Sequence, residues 1–489
     1  MAFLGPNNAL AWAQFRLRGG WYRAVTFSLG ACILLALLIA GHARIATVDA
    51  PRVLYGWSSG LMVLQGMTLV IFASMRVGQG IRQDLTSKQI ESHRLMPMPP
   101  MHAVAGYIIG NALPPLCFAA GEFVIGLFTT AQSGMDPQRW LFANAVLLGF
   151  CMFLWVFVAF TAFGVKFGPA LVFVPLIIPL ASGSGGLEIL PALTLLLSPI
   201  AGISVFDLRG EPNWLSPIYA MSFAAQAYIG IILFLAAARR YRAADAVGLS
   251  TILGLCLVIG WSGLCCVALR SWESFRPRSW SGINIQTSAQ LVASMVSTMI
   301  LSLAPISAAA RDHLRWQRHK RSRDPAPMSR PIPMTVVLMI VTLATVVIAL
   351  APPMMDTPKT IELAVTAVAV SASLLAMYFL YALVYSAMST ASMAAFVWIL
   401  VAWVGPIAAD MVRYGFSDVD REIVGTLAAS SPIGALTIVW DGRPVEIVGG
   451  IIGLLVISSV PVIAYGMWAM RRRNHRLAPM ATNEQVGAV

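Results

Sequence analysis

The residue types that do chemistry are few in this chain, and most stand alone. Its six cysteines (Cys32, Cys117, Cys151, Cys256, Cys265 and Cys266) lie in apolar runs without the spacing of a metal site. They read as small packing or lipid-facing residues. The six histidines, His42, His93, His102, His313, His319 and His475, fall in loops or at the ends of those runs. That placement argues against a haem or metal centre held between helices. No G-x-x-x-x-G-K-[S/T] loop occurs, and none of the four lysines follows such a turn, so no Walker-type ATP site is expected. No catalytic set, cofactor or metal is expected within the chain. Asp418, Asp420, Glu422 and Asp441 gather as a lipid-linked sugar transferase would require, but Arg413, Arg421 and Arg443 stand beside them, the pattern of a solvated loop.

One other stretch concentrates ionisable groups. Residues 81–100 read "IRQDLTSKQIESHRLMPMPP" and lie between two apolar runs. Thr86 and Gln89 have capping-box spacing, which predicts a helix beginning at Ser87. Pro97 ends it, because a residue before proline leaves the helical region. The result is two or three largely polar turns carrying Glu91, His93 and Arg94, with Asp84 just upstream. On such a helix Ile81, Leu85 and Leu95 share a face and Ile90 points away. A short rigid helix between two spans suits docking to a soluble partner, and it conveys a push to both. A solvated loop with ordinary topogenic charges is the other reading.

The elements that hold this stretch are membrane helices. Of 489 residues, 58% are hydrophobic and 11% charged, and the mean hydropathy is +0.77. Continuous apolar runs of about 20 residues cross a bilayer as helix, and they lack the alternation of a barrel strand. Twelve such runs are expected, at 22–41, 53–76, 103–129, 141–164, 167–182, 215–238, 247–268, 286–307, 333–351, 361–386, 391–409 and 445–469. The fold class is an all-α polytopic membrane protein.

Basic residues orient it. With a cytoplasmic N-terminus, the inner segments hold Arg16, Arg18 and Arg23; Arg76, Arg82, Lys88 and Arg94; Lys166; Arg239, Arg240 and Arg242. They also hold Arg311, Arg315, Arg318, Lys320, Arg321, Arg323 and Arg330, and Arg471, Arg472, Arg473 and Arg476, which makes 22 of the 33 lysines and arginines. This positive-inside bias places both termini in the cytoplasm of a cell (inner or plasma) membrane protein. It also accounts for most of the net charge of +12 without nucleic-acid binding. Glu122, in "AAGEFVIG", is the one acid well inside a span. Exposing its charge near the bilayer centre would cost about 2.5–3.5 kcal/mol. It is expected to face the bundle, as a buried polar tie or as part of a substrate or proton path. The "NALPP" at 111–115, two turns earlier, predicts a kink in the same span.

The chain repeats itself. "LSPIAGISVF" at 197–206 resembles "SSPIGALTIVW" at 430–440, each before the last span of a six-span half. Nearly the same shift carries the opening stretch onto "RDHLRWQRHKRSRDPAPMSRP" at 311–331. The expected organisation is an N-terminal segment 1–21, a first half 22–242 with the polar segment 81–100 and an outer hairpin 183–214. A second half, 243–470, follows with a basic segment 308–332 and an outer hairpin 410–444, and a tail 471–489 ends the chain.

"DLTSKQIESHRLMPMPPMHAVAGYIIGNAL", 84–113, resembles the segment after the second span in permease subunits of ABC type-2 transporters. Asp84, Ser87, Glu91, Leu95, Pro97 and Gly106 fit that pattern; His93 and Arg94 lie inside it. The resemblance implies that 84–97 is the coupling helix that contacts a separate soluble ATPase, on which ATP and Mg would be bound. It further implies an N-terminal interfacial helix, matched by "NNALAWAQFRLRGGW" (7–21), and re-entrant outer hairpins at 183–214 and 410–444. Alternating access would follow, with export of a hydrophobic or lipid-like substrate and the fused halves replacing a homodimer. The second half departs from the pattern: its equivalent residues Arg311, Arg315, Arg318, Lys320, Arg321 and Pro325 are strongly basic and offer no clear counterpart of Glu91. A twelve-span secondary transporter of the major-facilitator type is the runner-up, since "GIRQD" (80–84) partly matches that family's loop. Against it, Leu85 replaces the usual basic residue, and the longest inner loop is not the one joining the halves.

Overall fold

The computed structural model describes residues 8–17, 19–45, 49–164, 217–242, 249–275, 287–322, 331–351, 360–387, 397–416, 425–440 and 447–486. Among them every regular element is a helix. Among the described residues nine helices are long and apolar enough to cross a membrane, so the chain is a multi-pass membrane protein. Two shorter apolar helices, Met334–Ala349 and Ile399–Asp410, overlap the ninth and eleventh expected spans. The expected fifth span, 167–182, and the hairpin 183–214 lie outside the described residues. The chain forms two compact units: Met1–Gly248 with Ser274–Ile283, and Leu249–Glu273 with Asn284–Val489.

The first unit begins with α1 (Ala9–Leu17) and α2 (Gly20–Ile45). The third helix, α3 (Ala50–Thr86), contains a π-helical stretch at Met67–Ala73. Then come α4 (Gln89–Leu95), α5 (Pro100–Gln132), α6 (Pro137–Ala162) and α7 (Pro217–Arg242). The helix α5 runs unbroken through Pro114 and Pro115. Indoles tie the spans together where polar groups would otherwise be stranded in apolar surroundings. Trp140 Nε1 donates to the Phe123 carbonyl at 3.0 Å, and Trp155 Nε1 donates to Leu69, inside the π-helical stretch, also at 3.0 Å. Only Ala24, Ser28 and Ile39 of α2 are buried, so this helix lines the outside of its unit, where lipid would meet it.

The second unit runs through α8 (Thr251–Phe275), α9 (Thr287–Ser322), α10 (Met334–Ala349) and α11 (Thr360–Ala387). It continues with α12 (Gly405–Phe416), α13 (Gly425–Ala428), α14 (Pro432–Trp440) and α15 (Ile447–Val486). Here too an indole bridges two spans: Trp261 Nε1 donates to Ser297 Oγ at 2.9 Å. The Ser-Pro-Ile of the repeat is a helix start. Ser431 Oγ accepts from the Gly434 amide at 2.8 Å, and Pro432 takes the first helical position, where its missing N–H costs nothing. Its counterpart at 197–206 lies outside the described residues, as do Asp418, Asp420, Glu422 and Asp441.

Candidate functional site

The polar stretch differs from its expected form at its first residue. Helix α3 continues to Thr86, and Thr86 Oγ1 donates back to the Gln83 carbonyl at 3.0 Å instead of capping a new helix. The chain then turns at Lys88, which adopts a left-handed conformation (φ 60°), and α4 starts only at Gln89, with no side-chain cap. The capping box read from Thr86 and Gln89 is therefore not formed, and α4 has seven residues, about two turns. The break also rotates the apolar positions. Ile90 is buried with Ile81, while Leu95 is 87% exposed, the reverse of what an unbroken helical face predicts. The end is as expected: Met96 is extended ahead of Pro97.

The candidate residues of this stretch divide into two sets. Asp84, at the end of α3, is buried. Its Oδ2 accepts from Gln14 Nε2 of α1 at 2.8 Å and from the Tyr107 hydroxyl of α5 at 2.8 Å. His93 Nδ1 stands 2.9 Å from the same hydroxyl and 3.6 Å from Asp84 Oδ2. Tyr107 has one hydroxyl hydrogen and gives it to the carboxylate, so His93 must donate from Nδ1 to the phenolic oxygen. A single relay thus joins α4, α5, α3 and α1.

Arg94 also turns inward. Its Nε donates to the Tyr241 carbonyl at 2.6 Å and its Nη2 to Arg240 at 3.3 Å, supplying carbonyls left open at the C-terminus of α7. The rings of Tyr107, Phe163 and Tyr241 close this end of the unit as mutual edge contacts 6.0–6.3 Å apart. The second set faces outward. Ser87, Glu91 and Pro97 are exposed, and Glu91 keeps 66% of its side-chain surface while pairing with Arg94 Nη1 at 3.2 Å. Such a pair adds little stability at a surface. Glu91 is thus the acid that α4 presents.

The N-terminal segment belongs to this assembly. Asn8 caps α1 by accepting from the Ala11 amide at 3.1 Å, and its Nδ2 donates to the His102 carbonyl at 2.7 Å. Helix α1 lies directly on α5 because Gly106 and Gly110 have no side chains. A Cβ on Gly110 would stand 2.5 Å from the Ala11 carbonyl oxygen, and one on Gly106 would stand 3.0 Å from the Ala11 amide. Gln14, Tyr107 and Tyr241 complete the site although the sequence reading did not select them. Tyr107 sits inside the quoted motif, next to Gly106, and a polar ring there could have been marked.

The second-half segment has a different form. Helix α9 passes from its apolar part through Arg311 and Arg315 to Ser322 with no turn like that at Lys88. Asp312 Oδ2 accepts from Thr251 Oγ1 at 3.2 Å. The side chains of Arg318, Lys320 and Arg321, and all of Pro325, lie outside the described residues.

Glu122 is fully buried on α5, opposite α3. Along this seam Ser58 and Thr129 hydroxyls share a hydrogen bond at 2.9 Å, and Gln65 Nε2 donates to the Ala119 carbonyl at 3.1 Å. No hydrogen bond of good geometry reaches either Glu122 carboxyl oxygen; Thr68 is its polar neighbour. Gln65 Oε1 is likewise buried and without a donor. The acid faces the bundle, as its cost in lipid requires.

No family model matches the chain, and no curated protein or solved structure is significantly similar to it.

Proposed function

We propose that this chain is the membrane-spanning permease subunit of an ABC-type exporter, with two fused six-span halves and both termini in the cytoplasm. In this reading α4 is the coupling helix for a separate soluble ATPase, which binds and hydrolyses ATP with Mg. The observation that carries the reading is the two-sided character of α4. Its outer side presents Glu91, and its inner side is tied by His93 to Tyr107 and Asp84 and by Arg94 to the end of α7. A solvated loop has no need of such anchoring, since holding long side chains in one geometry costs conformational entropy.

A displacement of α4 by a partner would be passed through hydrogen-bonded groups to α3, α5 and α7 together, and through Gln14 to α1. The substrate is a hydrophobic or lipid-like molecule, in keeping with the apolar composition and with the export direction of the resembling permeases. The test is purification of the full-length chain from its native membranes with and without Glu91→Lys. A soluble ATPase should accompany the wild-type chain and be lost from the variant, at unchanged yield and helicity. Equal retention by both would remove α4 as the docking element.

A further inference from the structure

The turn between α1 and α2 lines an open cleft of about 650 Å³. Its walls are Trp12, Arg16 and Leu17 from α1 and Trp21, Tyr22 and Arg23 from α2. The turn itself is made by Gly19 and Gly20, both left-handed with φ of 104° and 63°. A side chain at Gly19 would collide with that of Arg23, so the glycine also leaves room for the arginine to fold back. Along the α1 wall the Arg16 guanidinium lies 5.0 Å from the centre of the Trp12 ring, a cation–π contact one turn apart on the same helix. Phe15 is buried and meets Trp21 edge-on at 5.1 Å, which anchors the second aromatic wall.

None of the described residues that line the cleft is acidic. Residues 1–48 contain Arg16, Arg18, Arg23 and Arg44 and no acid; the first carboxylate of the sequence is Asp49, beyond the far end of α2. Among the described residues neither Arg16 nor Arg23 makes an ion pair. Two arginines lining one concave site call for an anion, and the planar forks of their guanidinium groups match phosphate oxygens. The apolar side of the ligand is also provided for. Phe27, Leu29 and Ile33, on the turns of α2 that follow, are more than half exposed. Tryptophan and tyrosine at the end of an apolar helix are the residues of a membrane–water boundary.

We propose that this cleft binds the phosphate headgroup of an anionic phospholipid from the leaflet at this end of α2, with the acyl chains laid along the exposed face of that helix. A zwitterionic headgroup would bring its own cation to two arginines, and a soluble phosphate would leave the apolar face of α2 without a ligand. The proposal stands on the cleft alone and is independent of the exporter reading. Because Gln14 on α1 donates to Asp84, an occupied cleft would also hold one end of the network that supports α4.

Native mass spectrometry of the full-length chain, delipidated in detergent and titrated with phosphatidylglycerol or phosphatidylcholine of identical acyl chains, tests it. One phosphatidylglycerol per chain should be held in preference to phosphatidylcholine, and millimolar inorganic phosphate should not displace it. Replacing Arg16 and Arg23 by Gln together should weaken that step by roughly fivefold for each arginine removed. Arg44→Gln, at the opposite end of α2, should leave it unchanged. If the double variant does not purify, the single Arg23→Gln variant serves, with a roughly fivefold loss expected. Equal retention of the two lipids by the wild-type chain would overturn the proposal. So would an undiminished preference in the arginine variants, an equal loss in Arg44→Gln, or displacement by inorganic phosphate, which would mark a soluble-anion site.

Discussion

Replacing Tyr107 by Phe removes one oxygen and tests whether α4 is held by the relay that ends on Asp84. The hydroxyl donates to a buried carboxylate at 2.8 Å and accepts from His93 Nδ1 at 2.9 Å. A hydrogen bond to a charged group contributes about 1.5–3 kcal/mol. Part of this is recovered in the variant, because His93 Nδ1 already stands 3.6 Å from Asp84 Oδ2 and can close on it directly. Gln14 still donates to the same oxygen. The net loss should fall near the lower bound, about 1.5 kcal/mol, which is close to a tenfold change in the equilibrium for local opening. Hydrogen exchange on the full-length chain in detergent reads this directly. Amides of α4 and Met96 should exchange about tenfold faster, with smaller changes in the last turn of α3. Amides of α10 and α11, in the other unit, should keep their rates. Unchanged exchange in α4 would show that the relay does not hold it. A uniform acceleration along the chain would show that Tyr107 supports the whole fold rather than this helix.

Other predictions follow from the same observations. At Glu122, substitution by Gln should preserve expression and detergent stability, because among the described residues it has no ion-pair partner. Lys there should impair insertion by about 2.5–3.5 kcal/mol, the cost of a charge at the centre of a span; equal damage from Gln and Lys, read by expression and size-exclusion yield, would contradict the reading of Glu122 as a buried acid that needs no charged partner. Reporter fusions after Arg240, Arg330 and Arg473 should all report the cytoplasm and one within 411–422 the outside, and any inverted member would break the proposed twelve-span topology. Charge reversal at Arg318, Lys320 and Arg321 should affect ATPase binding to a different extent, and with a different salt dependence, than reversal at Glu91, since like charges across an interface select against a shared partner surface; identical effects would make the two halves equivalent.

The membrane class and most of the spans were legible because apolar runs of bilayer length carry a long-range signal that tolerates errors at the ends. The polar stretch was legible as a whole and misread in detail. Its capping signature at Thr86 and Gln89 was real as a pattern, but α3 carries through to Thr86, and the turn falls at Lys88, whose left-handed backbone no lysine announces. That one turn decides which apolar residue is buried and exchanges Ile90 for Leu95. The sequence places His93 and Arg94 with Glu91 on one short polar helix and assigns none of them an inner side. The inward turn of Arg94 and His93 depends on the open carbonyls of α7 and on Tyr107, which lie 146 and 14 residues away in the sequence. Local pattern has no access to such partners. Asp84 was found for its place in a motif, and only its burial shows that it organises the helix from below.

The central claim is that α4 is the surface on which a soluble ATPase acts, and a photo-crosslinking residue at position 91 tests it most directly. Irradiation of membranes holding the full-length chain should join that position to one soluble protein, and sequencing of the adduct should show a Walker-type loop and signature motifs of an ABC ATPase. The yield should change between ATP-bound and nucleotide-free conditions, because in the proposed mechanism the ATPase moves the helix. A crosslinker at Phe128, an exposed position on the membrane-embedded part of α5, should not capture it. If position 91 yields no ATPase from membranes in which the chain is expressed at native level, the account of α4 as a coupling helix is wrong.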